Sequence, residues 1–161
     1  MPAPDISAAS RYFNRGTSVV VFATAVANKN SPTRVEINAG TDLSNEINEI
    51  DGWTVTGETI ETPDLGTTFT STISGSTSAD DSSLTLYADV TGADARTLMP
   101  RGTNGFVLWM DGGDIAGRKM DVFPVRVTSV GKPRTTDDEA ATVTIQYAIT
   151  SEPAENVAIP A

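Results

Sequence analysis

The chain has 161 residues, so one domain, or one domain with extended arms, is expected. It contains neither cysteine nor histidine, which excludes disulfides, thiolate metal sites, cysteine nucleophiles, histidine-based triads and imidazole-ligated zinc. With 11 basic and 21 acidic side chains the formal charge is -10, a surface that repels nucleic-acid phosphates and anionic membranes.

Residues 1–16 carry Pro2, Pro4, Asn14 and Gly16 with little periodicity and read as an N-terminal arm. They lack the basic and apolar regions of a signal peptide, and no apolar run approaches the ~20 residues of a membrane helix, so a soluble cytoplasmic product is the expectation. Thr17 to Ala25 reads as the first strand and Arg34 to Asn38 (RVEIN) as a second, while Leu43 to Ile50 reads as a helical turn or irregular loop. Trp53 to Glu61 alternates, with Trp53 and Val55 on one face and Thr54, Thr56 and Glu58 on the other. Residues 62–82 read as a long hairpin or loop region: a turn at Pro63 to Gly66, a strand from Thr67 to Ser74, and a polar loop from Gly75 to Asp81.

Ser83 to Ala88 returns to strand. Gly92 to Met99 is the helix candidate, stopped by Pro100 and Gly102. Gly105 to Met110 is a buried strand, followed by a hairpin-type turn at Asp111 to Asp114. Lys119 to Val130 is a long strand in which Pro124 suggests a bulge or an edge. Ala141 to Ile149 alternates, with Thr142, Thr144 and Gln146 outward, and 151–161 reads as a C-terminal arm whose deletion from 153 leaves a folded subunit. These elements predict a mainly β domain over 17–150: an antiparallel β-sandwich or flattened barrel with one short flanking helix and two extended arms.

Few side chains suggest chemistry. Asp80-Asp81, Asp137-Asp138-Glu139 and the aspartates around Gly112-Gly113 offer oxygen ligands to calcium, but none has EF-hand spacing and a solvated turn accounts for each. No carboxylate pair is placed for glycoside cleavage, and the serines lack a histidine or a Ser-x-x-Lys partner. Trp53, Trp109 and Tyr87 suit sugar stacking, although large aromatics in alternating strands more often pack cores or interfaces. No enzyme, cofactor or metal is therefore expected. Polar arms, Thr-rich faces and a high acid content instead suggest a subunit that assembles.

Several stretches form an ordered set: Arg11-Tyr12-Phe13-Asn14-Arg15-Gly16-Thr17, Ser31-Pro32-Thr33-Arg34-Val35-Glu36-Ile37 with Ala39-Gly40-Thr41-Asp42-Leu43, Ile50-Asp51-Gly52-Trp53, and Thr62-Pro63-Asp64-Leu65. Ser78-Ala79-Asp80-Asp81-Ser82-Ser83-Leu84-Thr85-Leu86-Tyr87, Gly117-Arg118-Lys119-Met120-Asp121-Val122-Phe123-Pro124-Val125 and Ile149-Thr150-Ser151-Glu152-Pro153-Ala154 complete it. In that order they resemble the major tail protein, or tail tube protein, of long non-contractile-tailed bacteriophages (siphophages) of high-GC Gram-positive hosts.

The resemblance implies a virion tail protein, made in the host cytoplasm, without active site or cofactor. It implies hexameric rings that stack into a tube around a tape-measure protein, meet tail terminator and distal tail proteins at the ends, and later pass duplex DNA without inserting in a membrane. If each of six subunits gives four strands to a shared barrel, strand spacing and tilt make the backbone diameter about 48 Å and the lumen about 35–40 Å. The expected lining is Thr54, Thr56, Glu58, Thr68, Thr70, Thr72, Thr142, Thr144 and Gln146, on the wet faces of alternating strands. Contacts between rings are expected from Ile6, Phe13, Leu65, Asp80, Asp81, Val157 and Ile159. The alternatives are a carbohydrate-binding or adhesin-like β-sandwich and a capsid decoration protein.

Overall fold

The structure, a computed structural model, describes residues 2–161. Ten strands and two short helices follow in order: β1 (Val19–Ala23), α1 (Arg34–Asn38), β2 (Thr41–Asp42), β3 (Ile47–Asp51), β4 (Val55–Thr62), β5 (Ser71–Ala79), β6 (Ser82–Tyr87), α2 (Ala95–Leu98), β7 (Asn104–Met110), β8 (Lys119–Gly131), β9 (Thr142–Ile149) and β10 (Ala154–Ala158). Eight strands form one antiparallel sheet in the order β2-β1-β7-β8-β9-β6-β3, with β10 also paired to β8; β4 and β5 pair only with each other. The domain is mainly β, as the alternation predicts, and the sheet is not closed into a barrel.

Chain connectivity curls this sheet. β2 and β3 sit at its opposite edges, yet only residues 43–46 join them. Laid flat, the seven-strand path is ~29 Å wide at normal strand spacing. The link from Asp42 to Ile47 reaches about 17 Å at most. The two edges therefore approach each other, and the turn leaves β2 still bonded to β1: Leu43 N donates to Val20 O at 2.8 Å, and Val20 N donates to Ser44 Oγ at 2.9 Å.

Period-two alternation sends side chains to two cores. Val20 and Phe22, Val107 and Trp109, and Phe123, Val125 and Val127 join Leu84, Leu86, Val143, Ile145 and Tyr147 on one face, lidded by Leu43, Met99 and Trp53. Val21 and Ala23, Leu108 and Met110, and Met120 and Val122 point the other way, onto Val26, Ile37, Ala154 and Ile159.

Several elements differ from the sequence reading. The stretch RVEIN is a helix because Thr33 and Glu36 make a capping box: Glu36 N donates to Thr33 Oγ1 at 3.3 Å, and Thr33 N donates to Glu36 Oε2 at 2.7 Å. Only Ile37 of α1 is buried. Residues 47–51 form a strand, not a helical turn. A bulge between Ile47 and Glu49 lets Ile47 and Ile50, three apart, both oppose core leucines (Leu86 and Leu84). Gly75 to Ala79 belongs to β5 rather than to a loop, paired to β4 through a second irregularity. A second helix is present besides the one expected near 92–99.

Pro124 is buried mid-sheet, neither at an edge nor in a bulge. Its carbonyl accepts from Thr150 N, on the side where β8 changes partner from β10 to β9, so its missing N–H faces that junction.

The C-terminal stretch read as an arm is part of the fold. β10 pairs with β8, Ile159 is 2% exposed, and Arg34 holds Pro160 O at 2.7 Å while bridging Asp114 at 2.8 Å. The apolar residues Ala154, Val157 and Ile159, two or three apart, cover the second core once the chain doubles back over it. Deleting 153–161 is therefore expected to strip β10 from β8 and uncover the second core rather than to leave a folded subunit. Ile159→Ala alone is expected to cost about 2–5 kcal/mol by chemical denaturation, the range for buried aliphatic truncation.

Candidate assembly surfaces

The acidic loops do not converge. Among the described residues no three carboxylates come together in a way that could hold a metal ion. Asp114 is engaged by Arg34, and Asp80 accepts from the Thr54 hydroxyl. Asp111 lies half-buried beside Asp121, and burial, with that neighbouring charge, raises its carboxyl above the ordinary range. Asp94 caps α2 and is forked by Arg96, whose Nε and a terminal nitrogen each donate at 3.0 Å; those bonds hold its pKa below the usual value. A carboxyl lowered in the folded state contributes stability above its unfolded pKa that is lost as pH falls. Asp94→Asn is thus expected to lower Tm at neutral pH, with the difference from the parent shrinking as the buffer is taken below pH ~4.

The aromatic residues that suggested sugar stacking are placed differently. Trp109 is 8% exposed, and Trp53 packs against Trp109, Phe123 and Tyr147 with ring centroids 5.3, 5.4 and 5.3 Å away. Trp53 does not share a strand face with Val55. It precedes β4 with φ 66°, directly after Gly52 at φ 79°. A Cβ on Gly52 would lie 2.4 Å from Asp81 O, so only glycine fits there. Trp53 N donates to the buried Ser82 Oγ at 3.0 Å, and its indole Nε1 donates to Ser83 O at 3.1 Å.

This pivot aims the β4–β5 hairpin, which continues the β3–β6 pair beyond a kink at 52–54 and 80–81. The ladder survives the kink through Asp80 N donating to Thr54 O. Beyond it the hairpin touches no other strand of the sheet by pairing, and most of its residues are exposed. Ile60 faces Ile73 across the ladder, both about half exposed, and the tip carries Leu65 and Phe69 in full view of solvent. A solitary two-stranded hairpin is at best marginally stable in water.

The second prominent surface is a bare half of the sheet. α1 and the C-terminal stretch cover the second face over β1, β7 and the start of β8. Over β3, β6, β9 and the end of β8 no element among the described residues covers the same face. There Glu49 opposes Thr85, Asp51 opposes Ser83, Thr85 opposes Thr144, Ser83 opposes Gln146, and Arg126 opposes Ala148. Thr85 and Thr144 share a hydroxyl hydrogen bond at 3.2 Å.

The residues expected to line a lumen therefore fall into separate groups. Thr142, Thr144 and Gln146 lie together on the bare face. Thr56 and Glu58 share one hairpin face with Ile60, whereas Thr72 opposes Glu61 on the reverse. Thr54 is tied up at the pivot, and Thr68 and Thr70 belong to the tip, before β5 begins. Among the residues expected to join rings, Ile6, Phe13 and Leu65 are exposed at 96, 75 and 108%. Asp80 and Asp81 sit at the kink, Val157 is partly buried on the second core, and Ile159 is inside it. The sequence reading missed the Ile60–Ile73 pair and the pivot role of Trp53. The doublet Gly52-Trp53 is the signal that could have found the latter.

No helix among the described residues is long and apolar enough to cross a membrane. A search of the curated proteins returns no match. The fold is similar to a chain of the anti-feeding prophage baseplate, at 14% identity and a TM-score of 0.50 over 94% of this chain and 95% of that one. The Dit protein of phage SPP1, described as a hub of the adsorption apparatus in phages infecting Gram-positive bacteria, is matched at 14% identity and a TM-score of 0.41; 83% of this chain covers 49% of it. The sequence itself decides the family, because the model of the phage tail tube proteins matches residues 7–161. The chain, with its open β-sheet and protruding hairpin, belongs to the phage tail tube protein family and is a structural protein of the phage tail.

Proposed function

We propose that this protein closes into hexameric rings that stack into the tube of a long non-contractile tail. The tube encloses the tape-measure protein during assembly in the host cytoplasm, meets terminator and distal tail proteins at its ends, and afterwards conducts duplex DNA. The observation that carries this reading is the β4–β5 hairpin. It is unsupported within its own subunit and tipped with exposed Leu65 and Phe69, so a neighbouring copy is what would bury it.

The bare face of β3, β6, β9 and β8 is the proposed lumen wall. Four strands from each of six copies give the barrel of about 48 Å calculated above, and Thr142, Thr144 and Gln146 then present uncharged hydroxyl and amide groups to passing DNA. The six-fold symmetry named for the anti-feeding prophage baseplate accords with that count. The hairpin and the exposed N-terminal Ile6 and Phe13 would bridge successive rings.

Light scattering and negative-stain microscopy of the purified protein test this. Raising concentration is expected to convert the chain into rings and tubes with a lumen of about 35–40 Å. A monomer at every concentration reached, or a trimer that never stacks, contradicts it.

A further inference from the structure

Both margins of the bare sheet face end in strands with an unused edge. β3 pairs only with β6. β8 pairs with β9 as far as Gly131, but on its other side the β7 ladder ends at Arg126, and Val127 makes the last backbone bonds, to Gly102 and Thr103. Residues 129–131 thus leave open backbone at one margin and 47–51 at the other. Such edges are templates for pairing with another chain.

The two margins also carry opposite charge. Glu49 and Asp51 lie on β3 and Glu46 just before it, all exposed; Arg126 lies on β8, with Lys132 and Arg134 just beyond it. None of these six has an ion-pair partner among the described residues.

We infer that the rings close by β3 of one copy pairing edge to edge with the end of β8 of the next, steered by these charges. The inference rests on the ring reading above and names the edges that meet. Within a subunit β3, β6, β9 and β8 alternate in direction, each antiparallel to the next. Four is even, so a head-to-tail junction places β8 antiparallel to the next copy's β3 and the alternation continues around the ring. Antiparallel pairing sets the start of one strand beside the end of the other. Asp51 of one copy then lies near Arg126 of the next, and Glu46 near Lys132. Arg126, the cation on the β8 part of the proposed lumen wall, is then neutralised by the neighbour's Asp51 rather than offered to DNA.

Charge reversal tests the pairing. Arg126→Glu and Asp51→Lys are made separately and together, and each protein's thermal unfolding is checked as a monomer. Each single variant is expected to need about tenfold or more higher concentration to form rings, because like charges then meet at every junction. An equimolar mixture of the two single variants is expected to assemble again. When the two alternate around a ring, every junction joins either both substituted positions, now reversed in sign, or both native ones, and six is even. The double variant restores assembly in a single chain. If a variant at these positions folds poorly, Lys132→Glu with Glu46→Lys examines the same junction at its other end. A single variant that assembles at the parental concentration overturns the inference, and so do two defective singles that neither mixing nor combination rescues. A parent protein that never forms rings overturns the ring reading instead, so the two failures are told apart.

Discussion

Replacing Trp53 by alanine is expected to cost about 3–5 kcal/mol of stability, the range for removing a packed tryptophan, and to loosen the hairpin it aims. One indole does two jobs. Its ring fills the space between Trp109, Phe123 and Tyr147, and its Nε1 fastens the kink to Ser83 O, beside the backbone N–H bond to Ser82 that any residue but proline keeps here. The loss is read as an earlier denaturant midpoint, and the loosening as faster proteolysis between residues 54 and 80 under native conditions. Trp53→Phe keeps part of the packing but not the Nε1 bond, so it should fall between. An alanine variant with parental stability and an equally protected hairpin would mean that the kink is held by the backbone alone.

The hairpin tip gives the largest expected separation between folding and assembly. Leu65 and Phe69 touch solvent in the isolated subunit, so changing both to aspartate should move stability by no more than about 0.5 kcal/mol. If a neighbouring copy buries both, each is worth about 1.5–3 kcal/mol at the interface, and the concentration needed for tubes should rise about 10²–10⁴-fold. Sedimentation of folded variant against parent measures this. A variant that forms tubes of parental length at parental concentration removes the tip from the ring-to-ring contact.

What was legible in the sequence follows from how local each signal is. Ala141 to Ile149 could be read directly, because one unbroken alternation matches one strand with Val143, Ile145 and Tyr147 inward. RVEIN was ambiguous because Val35 and Ile37 are two apart, as in a strand. The decisive feature was Thr33 with Glu36, a side-chain-to-backbone exchange that overrides so short a pattern. At Ile47 and Ile50 the spacing looked helical, since a bulge is set by the partner strand and leaves no mark on one strand alone.

The C-terminal stretch misled for another reason. Pro153 and Pro160 mark chain breaks truthfully, but they do not say that the chain between them returns to cover the second core. For the same reason the candidate lining was legible on β9 but not on the hairpin, where the register shift at Glu58 decides which threonines share a face.

The most direct measurement is a cryo-electron microscopy reconstruction of the assembled protein at a resolution that traces strands. Six-fold rings are expected whose inner wall is β3, β6, β9 and β8, with Thr144 and Gln146 facing the channel, β3 beside the next copy's β8, and the β4–β5 hairpin seated on the adjacent ring. A tube in which that sheet face points outward, or in which the hairpin stays within its own ring and touches no neighbour, would contradict that arrangement.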